Sequence, residues 1–225
     1  MSGTGRRVGR PRAQMRPETG LSTREELLEA AAELFTTRGY AATTTRAVAE
    51  LAGMRQASIY HYFAGKEDLL AALLEGTVRP SLALAGDLIG RDDVPGEARL
   101  WALCRADVAL LCGGPHNLGV LYLLPEVRAE RFAGFRSVRE ELKAAYAALL
   151  AATSAGAELP PAAFAVRADL VFGLIEGVIL IRREAPIPDA AAFASAAADA
   201  ALRVAGCPED VMAGLRREGE ALLSP

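Results

Sequence analysis

A chain of 225 residues, 52% hydrophobic and 24% charged, can bury a real core in one large or two small domains, and this excludes a disordered polymer. No apolar run approaches the roughly 20 residues that span a bilayer, and the Arg-rich start lacks the apolar stretch of a secretory signal, so a cytoplasmic protein is expected. The net charge of −3 is unevenly spread: residues 1–66 hold ten Lys/Arg against six Asp/Glu, a balance of +4, while the rest hold fifteen against twenty-two, a balance of −7, so a basic end on an acidic body orients the chain toward a polyanion.

Alanine and leucine dominate and alternating β-branched runs are scarce, which predicts an all-α fold: an N-terminal three-helix helix-turn-helix unit followed by a helical body. Cys104, Cys112 and Cys207 are odd in number, far apart and without zinc spacing, and they read as small buried thiols; no metal and no cofactor is expected. Residues 1–20 form a first segment, an arm expected to be disordered alone. It carries Arg6, Arg7, Arg10, Arg12 and Arg16 between Gly, Pro and Ser, with one acid, Glu18. Within it Val8-Gly9-Arg10-Pro11-Arg12 resembles the Gly-Arg-Pro core of AT-hook segments. Proline keeps such a chain extended, glycine lets its backbone approach the groove floor, and a narrow A·T minor groove strengthens the potential that arginine meets, so Arg6, Arg7, Arg10 and Arg12 are candidate minor-groove contacts.

The second segment, residues 21–66, opens on the capping box Ser22-Thr23-Arg24-Glu25, which starts a helix that ends at Gly39. Leu27, Leu28, Ala31, Leu34 and Phe35 place one apolar stripe along it. A second helix starts at Thr44 or Thr45, buries Val48, Ala49 and Ala52, and stops at Gly53, which takes a left-handed conformation at little cost. After a tight turn at Met54-Arg55, a third helix is expected to run to Gly65. Ile59 and Phe63 fall on its inner side, Tyr62 lies at the border, and Ala57, Ser58, Tyr60 and His61 point largely away. Two short helices around a tight turn, the second with hydroxyls, rings and an imidazole on its free face, have the layout of a helix-turn-helix that reads a DNA major groove. The core of the unit is assigned to Leu27, Ala31, Leu34, Phe35, Val48, Ile59 and Phe63.

From Leu27 to about Leu74 the chain resembles the TetR family of bacterial transcriptional repressors, through Leu34-Phe35, Gly39-Tyr40, Thr44-Thr45-Arg46, Val48-Ala49, Gly53, Ser58-Ile59-Tyr60-His61-Tyr62-Phe63 and Lys66-Glu67-Asp68-Leu69-Leu70. The remaining two thirds match only in length and helical character. The resemblance implies that Thr44, Thr45, Tyr60, Tyr62 and Lys66 hold phosphates, by hydroxyl, by backbone N–H and by ammonium charge. Base reading then falls to Arg46, Arg55, Gln56, Ala57, Ser58 and His61. Arginine can bond guanine in bidentate fashion, Gln56 can do so to adenine, and Ala57 can meet a thymine methyl.

The third segment, residues 67–225, is read as the effector-binding and dimerisation body. Leu69, Leu70, Leu73 and Leu74 continue a connecting helix that reaches past Pro80, with a kink or interruption there. A loop is expected over Gly86 to Gly96, and further helices over Glu97–Cys112, Asn117–Leu124, Val127–Ala152, Ala162–Arg183, Asp189–Ala205 and Pro208–Leu222. The Ala162–Arg183 helix is apolar on much of its circumference, so it is expected to pair with the next helix and with their two-fold mates in a four-helix dimer interface. Leu170, Gly173, Leu174, Gly177, Val178 and Ile181 are its candidate contacts. Trp101, Cys104, His116, Asn117, Tyr122, Phe132, Phe135, Tyr146 and Phe172 are the aromatic or polar-tipped residues from which a largely apolar cavity can be built. A small, mainly apolar effector follows from the resemblance alone, and so does a repressor that leaves a palindromic operator when it binds one. An activator, or a non-specific DNA-packing protein that uses the basic arm without small-molecule control, is the alternative. No enzyme is expected: His61 and His116 are the only histidines, and no nucleophile elbow, metal-binding His pair or phosphate-cradling glycine loop is present.

Overall fold

The computed structural model describes residues 20–224, so the arm with Arg6, Arg7, Arg10 and Arg12 lies outside the described residues. Among the described residues the regular structure is all helical. The head comprises α1 (Thr23–Thr37), α2 (Thr45–Leu51) and α3 (Gln56–Ile59). The Ser22 backbone N–H donates to Glu25 at 2.8 Å, and the Ser22 hydroxyl accepts from the Glu25 N–H, which is the expected capping box. Thr44 caps α2 by accepting from the Ala47 N–H at 3.1 Å, and Gly53, at φ +72°, makes the left-handed turn that redirects the chain into α3. The seven side chains assigned to the head core are all buried.

The body comprises α4 (Lys66–Ile89), α5 (Gly96–Cys112), α6 (Ala133–Ala151), the single turn α7 (Ser154–Ala157), α8 (Pro161–Glu184), α9 (Ala190–Ala205) and α10 (Met212–Leu222). The buried helix α5 is its axis, packed against α4, α6, α8, α9 and α10. Pro80 sits inside α4. The carbonyl four residues before it belongs to Gly76, which is exposed and can turn to water, so the missing N–H is tolerated without ending the helix. Leu69, Leu70 and Leu74 of α4 are fully buried, and the buried side chains of head and body form one continuous cluster.

Several boundaries depart from the sequence reading. The third head helix is a single turn, Gln56–Ile59; Tyr60, His61 and Tyr62 follow in a tighter turn closed by Tyr62 N–H to Ile59 C=O at 2.9 Å, a normal way of satisfying the last carbonyls of a helix. Residues 86–89 belong to α4 because Leu88 is buried, which shortens the expected loop to 90–95. Between α5 and α6 the chain makes 3-10 turns at Leu118–Leu123, Pro125–Arg128 and Glu130–Phe132, so the long helix starts at Ala133, later than Val127. Arg136 fixes that entry by donating to the Val127 and Ala129 carbonyls at 2.8 and 2.7 Å. The last helix likewise starts at Met212, after a 3-10 turn at Glu209–Val211. Finally, α4 is long and apolar enough by length and composition to cross a membrane, against the expectation that no segment is; here its apolar side is packed against α1, α5 and α6.

Candidate nucleic-acid interface and effector cavity

The short helix α3 and its following turn put Arg55, Gln56, Ala57, Tyr60, His61 and Tyr62 on the surface, with Ser58 half-buried and Ile59 and Phe63 inside. Tyr60 and Tyr62 are about half exposed, at 54% and 47%, which is unusual for rings that have a core to join beside them. Arg46, in the first turn of α2, pairs with Glu50 at 2.8 Å, both side chains being largely exposed. Such a pair is screened by solvent and yields easily to a base edge or a phosphate. Thr44 is exposed and Thr45 half-buried at the start of the same helix. Lys66 is placed differently from the expected phosphate holder. Its ammonium donates to the Tyr40 carbonyl at 2.9 Å and lies 4.2 Å from the centre of the Tyr40 ring, so it ties the start of α4 to the head. The sequence reading missed a tie within the head: the buried Thr43 hydroxyl donates to the Gly39 carbonyl at 2.9 Å and fastens the turn between α1 and α2.

The body holds a cavity of about 460 Å³ between the 3-10 turns, α6 and α8, a size within the range of small-molecule sites. Tyr122, Val127, Phe135, Ile179 and Leu180 make apolar walls, and Arg128, Arg136, Arg139 and Glu176 bring charge to it. Of the expected cavity residues, only Tyr122 and Phe135 line it. Trp101, Cys104, Phe132, Tyr146 and Phe172 are core: the Trp101 indole N–H is taken by Asp199 at 2.8 Å, the Tyr146 hydroxyl by Asp107 at 2.9 Å, and Phe172 lies beneath the Arg139 guanidinium. Full burial pushes the Cys104 thiol far up, which leaves it an inert core group. His116 stands apart, 3.6 Å from Glu29 of α1, and the Asn117 amide donates to the Ile179 carbonyl at 2.9 Å.

At and beneath the cavity wall lie three polar groups that sequence reasoning did not find. The Tyr122 hydroxyl is hydrogen-bonded to Thr77 of α4. One turn further along α4, the Ser81 hydroxyl donates at 2.8 Å to Asp107 of α5, which also accepts from Tyr146 of α6. Arg139 of α6 then pairs with Glu176 of α8, Nε to Oε1 at 2.6 Å and Nη2 to Oε2. The available signal was spacing: Thr77 and Ser81 continue the buried stripe of Leu70 and Leu74, and Asp107 shares the stripe of Cys104 and Leu111.

Burial pushes the Asp107 carboxyl up to about 6, its bonds from Ser81 and Tyr146 pulling the other way. An acid raised in the folded state binds more protons there than when unfolded, so its contribution to stability is complete below about pH 4 and falls as pH rises through 6. Asp107→Asn is therefore expected to gain on the parent by about 2 to 3 kcal/mol between pH 4 and pH 7, read from urea unfolding at both values. A pH-independent difference would dissociate Asp107 from that titration.

Along α8, Val166, Leu170, Leu180 and Ile181 are about half exposed or more, and Gly173, Leu174 and Gly177 lie on the same side. Val178 corrects the expected interface set. It is buried at 2% with Val171 and Ile175, on the opposite face of the helix, because one residue turns the side chain by about 100°.

The model of bacterial regulatory proteins of the tetR family matches residues 27–73. The chain is 46% identical to AmtR of Mycobacterium smegmatis over 93% of this chain and 98% of that one, with a TM-score of 0.83 to its crystal structure. The HTH-type transcriptional repressor KstR2 of Mycobacterium tuberculosis is 51% identical over 55 residues, which span 24% of this chain and only 28% of that repressor. The TetR family transcriptional regulator PfmR from Thermus thermophilus shares the fold, with a TM-score of 0.67 at 23% identity over 81% of this chain and 97% of that one.

Proposed function

This chain belongs to the TetR family of bacterial regulatory proteins, and on that premise we propose that it is a cytoplasmic, homodimeric transcriptional repressor that leaves a palindromic operator when a small, mainly apolar molecule enters the cavity beside Tyr122. The observation that carries the reading is that one helix is bonded at both sites. Near its start α4 holds the head through Lys66 and Tyr40, and three turns later it holds the cavity wall through Thr77 and Tyr122. A molecule that displaces Tyr122 acts on the lever that sets the spacing of two reading heads. Only a few kcal/mol of differential affinity between the two arrangements is needed to shift the population.

Dimerisation is supported by the exposed apolar stripe of α8, which a monomer leaves in water, and by the two glycines that let a second helix approach. A pair of heads about 34 Å apart reads two half-sites on one side of the duplex. The direct experiment is selection of DNA by the purified protein from a random pool. A twofold-symmetric site with half-sites one helical turn apart is expected; recovery of no symmetric sequence would remove the repressor reading. On the selected site, Tyr60→Ala is expected to weaken all sequences alike by roughly tenfold, whereas Arg46→Ala is expected also to relax preference at one base pair. Competition with single-base variants of the operator measures the difference, and identical profiles for the two substitutions would abolish the division of labour.

A further inference from the structure

The charges at the cavity do not balance. Three guanidiniums line it against one carboxylate, Glu176, and that carboxylate is already committed to Arg139 through both oxygens. Arg136 spends one nitrogen on the Val127 and Ala129 carbonyls, which fixes its plane without neutralising it; its nearest acid is Glu130, at 3.9 Å and almost fully exposed. The Arg128 side chain has no hydrogen bond or ion pair among the described residues. Arg128, unpaired among the described residues, and Arg136, countered only by a solvent-screened carboxylate at 3.9 Å, thus stand at the edge of an apolar-walled space.

We propose that the cavity takes an organic anion, an apolar body ending in a carboxylate whose oxygens are received by Arg128 and Arg136 while the body lies against Tyr122, Phe135, Ile179 and Leu180. The proposal rests on the reading of this cavity as the effector site and names the chemical class. A neutral ligand leaves both guanidiniums as they were, and a cation adds a third like charge. A carboxylate gains charge-assisted bonds in the planar geometry that arginine offers. Arg139 and Glu176 remain paired beneath it, because opening that half-buried pair would leave Glu176 without a partner.

Calorimetric titration of the full chain with octanoate, octan-1-ol, octylammonium and butyrate tests this. Octanoate is expected to bind at least about tenfold tighter than octanol, the factor given by one charge-assisted contact, with octylammonium weaker than both and butyrate weaker than octanoate because it leaves the walls bare. Arg128→Glu is expected to cost octanoate about tenfold or more and to leave octanol unchanged. The exposed Arg128 holds no other part of the fold, so that variant stays informative even if Arg136→Gln disturbs the turns before α6. Equal affinity for octanoate and octanol, or octanoate binding undiminished in Arg128→Glu, overturns the anion assignment and leaves the cavity reading standing. Octanoate that binds as expected while the operator stays held upholds the anion site and removes its role as inducer. Failure of all four ligands to bind overturns both.

Discussion

Removal of residues 1–16 is expected to lower operator affinity by about two orders of magnitude at 0.15 M salt and to flatten its salt dependence, with the slope of log K against log salt falling by about 4. The reason is a charge count that the overall +4 of residues 1–66 conceals. Residues 20–66 hold Arg24, Arg38, Arg46, Arg55 and Lys66 against Glu25, Glu26, Glu29, Glu33 and Glu50, so the folded head is electrically neutral. Three of its five cations are also engaged, Arg46 by Glu50, Lys66 by the Tyr40 carbonyl and Arg24 over the Phe63 ring. The excess that meets a polyanion therefore sits on Arg6, Arg7, Arg10, Arg12 and Arg16. Each neutralised phosphate contributes about −0.9 to the slope, so full engagement of the arm makes the intact protein lose several hundred-fold more affinity than the truncated one between about 50 and 200 mM salt. Fluorescence anisotropy on one operator across that range measures it. Flanks rich in A·T should matter to the intact chain alone, since a narrow minor groove is what its arginines would enter. Parallel lines for the two proteins would show that the arm does not touch DNA, and would leave the neutral head to supply all the binding by hydrogen bonds.

What could be read in advance was local. Ser22 and Glu25, Thr44 and Gly53 each announce a helix end through an interaction within four residues, and the head core follows from one periodicity over Leu27 to Phe63. The inside face of α3 was legible in the same way, but its length was not. Whether four residues or nine stay helical after Arg55 depends on how Tyr60 and Tyr62 are held in the open, which no periodicity encodes. The cavity was the hardest to foresee. Aromatic type alone placed Trp101, Tyr146 and Phe172 in it, whereas their polar tips or faces are used by Asp199, Asp107 and Arg139, partners 98, 39 and 33 residues away in the chain. The Arg139–Glu176 pair, 37 residues apart, is equally silent until α6 and α8 are brought side by side. Gly173 and Gly177 are candidate dimer contacts on sequence grounds. They lie at the edge between the exposed stripe of α8 and the cavity, so one pair of missing side chains bears on both.

The other large effect expected is on stability, at Trp101. Its ring is fully buried on α5, its indole N–H donates to Asp199 of α9, and Asp199 also accepts from Arg216 of α10, so three helices meet at one side chain. Gly219 of α10 lies flat on that ring: a Cβ there would stand 2.4 Å from Trp101 Cε3 and 3.1 Å from the Ala98 carbonyl. Trp101→Ala leaves a large hole between α5, α9 and α10 and is expected to cost about 3 to 5 kcal/mol, enough to unfold a marginal domain. Asp199→Ala keeps the ring but leaves its N–H buried without an acceptor, for about 1 to 3 kcal/mol; Arg216, half exposed, turns to water at little cost. Gly219→Ala overfills the same seam for about 1 to 3 kcal/mol, because neither the fused ring nor a helical carbonyl can move aside cheaply. Trp101 is the one tryptophan of the chain, so in the last two variants its emission reports the seam directly. A red shift at denaturant concentrations below the loss of helical ellipticity is expected, as α10 lifts away before α5 unfolds. Since α9 packs its inner face on α5 at this seam, loosening it should also weaken self-association. Coincident fluorescence and ellipticity transitions in both variants, with self-association unchanged, would mean that α10 and the body unfold as one unit and that Asp199 does not couple the seam to the proposed dimer face.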